Sequence, residues 1–164
     1  MKIKTDGHYQ KDFDGWNTLK CKLNKRLISD DRNKVNIMAK SRELWWCHVG
    51  INIGSEEDGK HLEYERPVVI LNKLSPNTYI VAPTTSKFKN QKYRVIAKST
   101  NGKFSYALLD QIKVIDARRL KRKIDVILEE DFKSIIEKIN NEIFNCEIPL
   151  ARDFSEPEGT VSTV

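Results

Sequence analysis

The sequence predicts a mainly β chain of the α+β class: a small, strongly bent antiparallel barrel with one helix before it and one after it. Three observations predict this. Between Arg42 and Leu128 the apolar residues fall into five to seven short runs rich in Val, Ile and aromatic side chains, bounded by turn signals. These runs follow one another through hairpin-like connections, and no strand–helix–strand crossover of the kind a parallel sheet requires intervenes. Apolar residues recur at helical spacing only near the two ends of the chain.

In order, residues 1–13 are polar and unpatterned and read as a loose lead. Asp14 offers an N-cap, and Trp16, Leu19, Leu23 and Leu27 form the apolar stripe of an amphipathic helix of about four turns. Ser29–Ser41 reads as a polar, basic linker. ELWWCHVGINIG, from Glu43, is a strand on which Trp45 and Trp46 face opposite ways, one buried and one free to line a groove. His48 on that strand reads as a structural histidine. Gly54–Glu65 holds two glycines and five carboxylates and is expected to be a long, exposed, mobile loop, with Glu56 at its root and able to reach toward Arg66.

Val68–Leu71 and Tyr79–Ala82 pair as a hairpin, with Asn72–Asn77 as the polar connection and Pro67 at a strand head, where proline is tolerated. Tyr93–Ala97 and Phe104–Leu109 form a second hairpin over Asn101–Gly102, a pair that accepts the positive φ of a type I′ turn. Gln111–Ile115 is a further strand. Asp116 caps the basic run ARRLKRK, a helical turn or an irregular crossing, and Ile124–Leu128 is the last strand. Glu130 and Asp131 suit the positive end of a second helix, whose stripe is Phe132, Ile135, Ile136, Ile139 and Ile143. The domain reading is a helical extension and linker over 1–40, a barrel domain over 41–146, and a disordered tail over 147–164.

Composition narrows the function classes. No run approaches 18 consecutive apolar residues, and the first residues lack the apolar core of a secretory signal, so a cytoplasmic, membrane-free protein is expected. Three cysteines without a CxxC pair argue for free thiols, neither a disulfide frame nor a zinc site. No glycine-rich phosphate loop, GxSxG or HExxH occurs, so any chemistry is expected to be metal-free, without a cofactor. The net charge of +6 is unevenly spread: residues 87–123 carry 12 basic and 2 acidic groups, interleaved with Phe88, Tyr93, Phe104 and Tyr106. That combination suits a polyanion with unpaired bases. Arg66 and Thr85 meet at one end of the first hairpin, and a guanidinium beside a hydroxyl matches phosphate oxygens.

Four ordered blocks, WWCHVGINIGSE, RPVVIL, IVAPTTS and SYALLDQIKVIDARRL, together resemble the PemK/MazF family of toxin endoribonucleases, the toxic halves of type II toxin-antitoxin pairs. The resemblance spans roughly Arg42–Ile143. It implies a homodimer of SH3-like barrels that cuts single-stranded RNA without metal, leaving a 2′,3′-cyclic phosphate and a 5′-hydroxyl, and a cognate antitoxin that occupies the same groove. It also implies catalytic roles for Arg66, Thr85 and Glu56 and a place for Gln111 in the site, and RNA contacts are expected from Trp46, Ser86, Lys87, Lys89, Lys92 and Gln111.

Transesterification by the RNA's own 2′-hydroxyl needs a proton acceptor, a proton donor and neutralisation of a doubly charged phosphorane. Arg66 suits the charge and Thr85 a non-bridging oxygen. The acceptor is Glu56, or Arg66 if its pKa is strongly depressed. Thr84 and Thr85 are neighbours, and strand alternation lets only one face the site. The Glu56–Arg66 loop is longer than in compact family members. Two other readings use the same fold: a non-catalytic toxin that binds DNA gyrase, disfavoured because nothing aromatic follows Phe154, and a degenerate antitoxin-binding module.

Overall fold

The computed structural model describes residues 11–26 and 37–144, together with the backbone of residues 4–5 and 8–9. Leu27, most of the linker, Cys146 and the tail lie outside the described residues. Within the lead expected to be loose, β1 (Lys4–Thr5) and β2 (His8–Tyr9) form a two-residue antiparallel ladder. Helix α1 follows (Phe13–Asn24), and its cap is Asp12 rather than Asp14: Asp12 Oδ1 accepts the Gly15 amide at 2.9 Å. Asp14 lies within the first turn, where its carboxylate suits the helix dipole instead.

Seven strands form one antiparallel sheet: β3 (Glu43–His48), β4 (Glu65–Ser75), β5 (Thr78–Thr85), β6 (Arg94–Lys98), β7 (Phe104–Leu108), β8 (Lys113–Asp116) and β9 (Leu120–Val126). Their order is β6-β7-β5-β4-β3-β9, with β8 also paired to β5. The two edges meet at one corner, where Ser99 and Ile127 form an isolated bridge and the Thr100 amide donates to the Val126 carbonyl at 2.9 Å. The sheet therefore curls like a barrel without closing along its length.

Two spans differ from the sequence reading for physical reasons. Residues 72–75 continue β4 as an exposed ribbon, so the connection shrinks to Pro76 and Asn77; register shifts after Ile70 and Lys73 twist this overhang. The basic run splits into a 3₁₀ turn (Ala117–Arg119) and β9, which begins at Leu120, four residues before Ile124. Leu120 is fully buried opposite Cys47, while Lys121, Arg122 and Lys123 are exposed on an edge strand, a position that tolerates charge.

Alternation along the strands gives the sheet two apolar faces. Val68, Ile70, Tyr79, Val81, Ile115 and Leu120 build one core; Val69, Ala82, Ala97, Ala107 and Ile127 build the other, covered by α2 (Glu129–Lys138) through Ile135. Trp45 and Trp46 do face opposite ways, but neither is fully buried: Trp45 lies against the first core, and Trp46 lies under the Arg122 guanidinium at 5.3 Å. The fully covered tryptophan is Trp16 of α1, which meets Tyr64 edge-on at 5.8 Å. Cys21 is exposed; Cys47 is buried, and burial pushes its thiol up to about 12. Among the described residues, no helix is long and apolar enough to cross a membrane.

The α1 contact carries a pH dependence. The Tyr64 hydroxyl donates to Asp12 Oδ2 at 2.5 Å and, with the Gly15 amide, holds the Asp12 carboxyl below the usual carboxylate range. A depressed carboxyl contributes stability above its unfolded pKa and loses it as pH falls through the folded value. Protection of the Gly15 amide from hydrogen exchange should therefore fall on acidification, and in Tyr64→Phe it should fall at a higher pH; identical midpoints would refute this coupling.

Candidate active site

Arg66 is the second residue of β4, and its side chain lies on the Val68–Ile70 face at the rim of that core, only 5 % exposed. Extending the Val68–Pro83 register by two residues sets Thr85 across from Arg66, so both side chains emerge on one face. The guanidinium is held in three directions. Nε donates to the Asp58 carbonyl at 2.9 Å, Nη1 to the Thr84 carbonyl at 3.3 Å, and Nη2 pairs with Glu57 Oε1 at 2.6 Å. Burial lowers the Arg66 pKa below its ordinary value, opposed by Glu57 and Asp58. Arginine starts so high that it remains a cation.

Burial separates the two threonines. Thr84 is 2 % exposed and its hydroxyl donates to the Pro67 carbonyl at 3.2 Å, so it is a strand-locking group. Thr85 is half-exposed, with Oγ1 accepting the Lys87 amide at 3.2 Å.

The structure corrects the reading of Glu56 and of its loop. Residues 50–65 are a tightly bonded strap, not a loose excursion: Gly50 N donates to Tyr64 O, Gly59 N to Gly50 O, and Lys60 and Glu65 exchange backbone bonds at its neck. Glu56 is exposed and its carboxylate accepts the Ile53 amide at 3.0 Å, inside its own turn, so it does not engage Arg66. Glu57 does, because the Asn52 side chain bonds the Glu57 carbonyl and Gln111 Oε1 accepts the Glu57 amide at 2.8 Å, fixing that residue inward. The other carboxylates are also occupied: Asp58 pairs with Lys11 at 3.0 Å, and Glu63 and Glu65 both pair with Lys121. His48 is buried, its Nδ1 donating to the Glu63 carbonyl at 2.8 Å.

A cleft of about 1040 Å³ opens beside Arg66, lined by the strap together with Lys11, Lys87 and Lys121. Of the expected RNA contacts, Lys87 lines this cleft, and Ser86 and Lys89 are exposed on the same connection. Lys92 is drawn away to Glu142 at 2.9 Å, and Trp46 lies on the opposite face of the sheet, paired across from Pro67. Part of the basic segment is engaged within the fold: Lys123, on β9, pairs with Glu43 at 2.7 Å.

Sequence reasoning missed Glu57, Asp58 and Lys11. It also missed Lys113, half-buried on β8 with its pKa lowered by burial, against the attraction of Glu56. The sole signal for Glu57 was its adjacency to the Glu56 position. Nothing local marks Lys11, which meets Asp58 only through the docking of α1.

Several solved structures are similar to this chain, three of them as follows. MazF (Form-I) from Deinococcus radiodurans aligns with a TM-score of 0.54 at 19% identity, covering 65% of this chain and 96% of that one. The Mycobacterium tuberculosis toxin MazF-mt6 aligns at 0.46 and 20% identity, covering 61% and 94%. MazE-MazF (Form-II) from Deinococcus radiodurans aligns at 0.49 and 16% identity, covering 64% and 94%. At such identities the first of these supports the fold alone. The family model for the PemK-like, MazF-like toxin of type II toxin-antitoxin systems matches residues 40–143, well over half of the chain. That span holds the whole seven-stranded sheet with Arg66 and Thr85, and the chain belongs to the PemK-like, MazF-like toxin family.

Proposed function

We propose that this toxin is an endoribonuclease that cuts single-stranded RNA through the RNA's own 2′-hydroxyl, leaving a 2′,3′-cyclic phosphate and a 5′-hydroxyl, without metal or cofactor. The observation that carries the reading is the buried Arg66 guanidinium, which borders a cleft and is set across the hairpin from the outward Thr85. In this mechanism Arg66 neutralises the phosphorane, and the Thr85 hydroxyl donates to a non-bridging oxygen. Glu57, the carboxylate already on Arg66, takes the 2′-hydroxyl proton in the role the sequence suggested for Glu56, the 2′-oxygen bonds to phosphorus, and the bond from phosphorus to the 5′-oxygen breaks as that oxygen takes a proton from solvent water. The protein acts in the cytoplasm as a homodimer, and a cognate antitoxin covers the same groove.

The test is incubation of the purified protein with single-stranded RNA in EDTA, with direct kinase labelling of the 5′-hydroxyl products. The wild type should cleave and Thr85→Ala should lose about 100-fold in rate, the cost typical of one lost oxyanion donor. Thr84→Val should cleave like the wild type while unfolding at a lower temperature, because it strips a buried hydrogen bond. No cleavage of any RNA by the wild type would refute the nuclease. Thr84→Val inactive beside an active Thr85→Ala would exchange the two threonines.

A further inference from the structure

The segment before residue 40 lies outside the family match, yet it is bonded to the loop that holds Arg66. Lys11 Nζ reaches across to the strap, pairing with Asp58 Oδ2 at 3.0 Å and donating to the Asn52 carbonyl at 2.6 Å. Asp58 Oδ1 accepts the Asn52 amide at 2.7 Å, and the Asp58 carbonyl accepts Arg66 Nε at 2.9 Å. One residue thus connects the amino-terminal segment to the guanidinium. Two further contacts fix the same strap from the same side. Tyr64 donates to Asp12, and the Trp16 ring lies over Gly50, with the Arg119 guanidinium at 5.2 Å on that ring and its Nη1 on the His48 carbonyl at 3.2 Å.

The consequence concerns precision. The turn that carries Asp58 is closed by its own bonds, the Asn52 amide to Asp58 Oδ1, the Asn52 side chain to the Glu57 carbonyl and the Gly59 amide to the Gly50 carbonyl, and Lys11 adds a hold on Asp58 from outside the strap. The Lys11 ammonium is partly shielded and satisfies a carboxylate and a carbonyl at once, so it holds Asp58 in one place. The Asp58 carbonyl is one of the three groups that set the plane of the Arg66 fork, and that plane decides whether its N–H groups meet a phosphorane.

We propose that Lys11 is a positioning residue for Arg66, acting through Asp58, so that the amino-terminal segment is a working part of the active site. The inference rests on the ribonuclease reading for its kinetic consequence, but its structural half does not. In the full-length protein, Lys11→Met should release Asp58. Single-turnover cleavage should then lose about 10-fold or more in kcat with KM little changed, since displacing a reacting group by about 1 Å can cost about 100-fold. Lys11→Arg, which keeps a donor for both oxygens, should restore most of the rate.

Hydrogen exchange at the Arg66 Nε–H, followed by NMR, should accelerate in Lys11→Met and return toward the wild-type rate in Lys11→Arg. Phe13→Ala, a change at an exposed site two residues away at the start of α1, should alter neither readout. If Lys11→Met lowers the unfolding temperature but leaves both kcat and Arg66 exchange unchanged, Lys11 is merely a stabilising contact and the proposal fails. If exchange accelerates while kcat is unchanged, Lys11 does not position catalysis and the proposal fails equally. If the wild type cuts no RNA, the nuclease reading fails by itself, and the exchange rate still decides whether Lys11 holds Arg66.

Discussion

Arg66→Ala should reduce RNA cleavage by about 100- to 1000-fold, the loss expected when a preorganised cation is removed from a developing oxyanion. The effect should fall on kcat, because the guanidinium acts most strongly when the phosphorane carries its second charge. Arg66→Lys should recover little. A lysine keeps the charge but presents a single point, whereas Arg66 spreads its donors over Asp58, Thr84 and Glu57 in a fixed plane. The check is single-turnover cleavage of an oligoribonucleotide in EDTA, with circular dichroism confirming that each variant is folded. An Arg66→Ala rate equal to the wild type would remove Arg66 from the chemistry.

Gly50→Ala should be strongly destabilising. Gly50 has φ +94°, and a Cβ there would lie 2.4 Å from two carbons of the Trp16 ring. The left-handed backbone costs roughly 1–2 kcal/mol for a residue with a Cβ. Forcing apart a well-packed contact adds roughly 1–3 kcal/mol. Together these should lower the thermal midpoint by about 10 °C in a chain of this size. Gly54→Ala is the internal control. It also has positive φ, but a Cβ there meets nothing within 4 Å, so only the backbone cost remains. Equal losses in the two variants, measured by thermal unfolding, would show that the Trp16 contact contributes nothing.

Much of the fold was legible because it follows from local pattern. Val68 and Val69 separate onto two cores through strand alternation alone, Asn101–Gly102 marks its hairpin, and Phe132–Ile139 carries the stripe of α2. The failures occurred where tertiary contacts override local chemistry. Lys121–Lys123 read as irregular because they are charged, yet pairing of β9 with β3 makes them strand. Glu56 was favoured by resemblance, but two side chains from elsewhere, Asn52 and Gln111, turn its neighbour inward instead. Arg66 and Thr85 could be placed from one hairpin register. Lys11 could not, because its partner is set by how a helix docks.

The burial of Arg66 bears on how a substrate would enter the proposed ribonuclease cycle. A guanidinium on an open surface must shed water before it can grip a phosphate, and that dehydration offsets much of the attraction. Here the water was shed when the chain folded, and the vacated positions hold two carbonyls and the Glu57 carboxylate. In the proposed reaction, phosphate capture would exchange one oxyanion for another at this buried cation. The displaced Glu57, one-third exposed, is free to swing into solvent or toward the attacking hydroxyl.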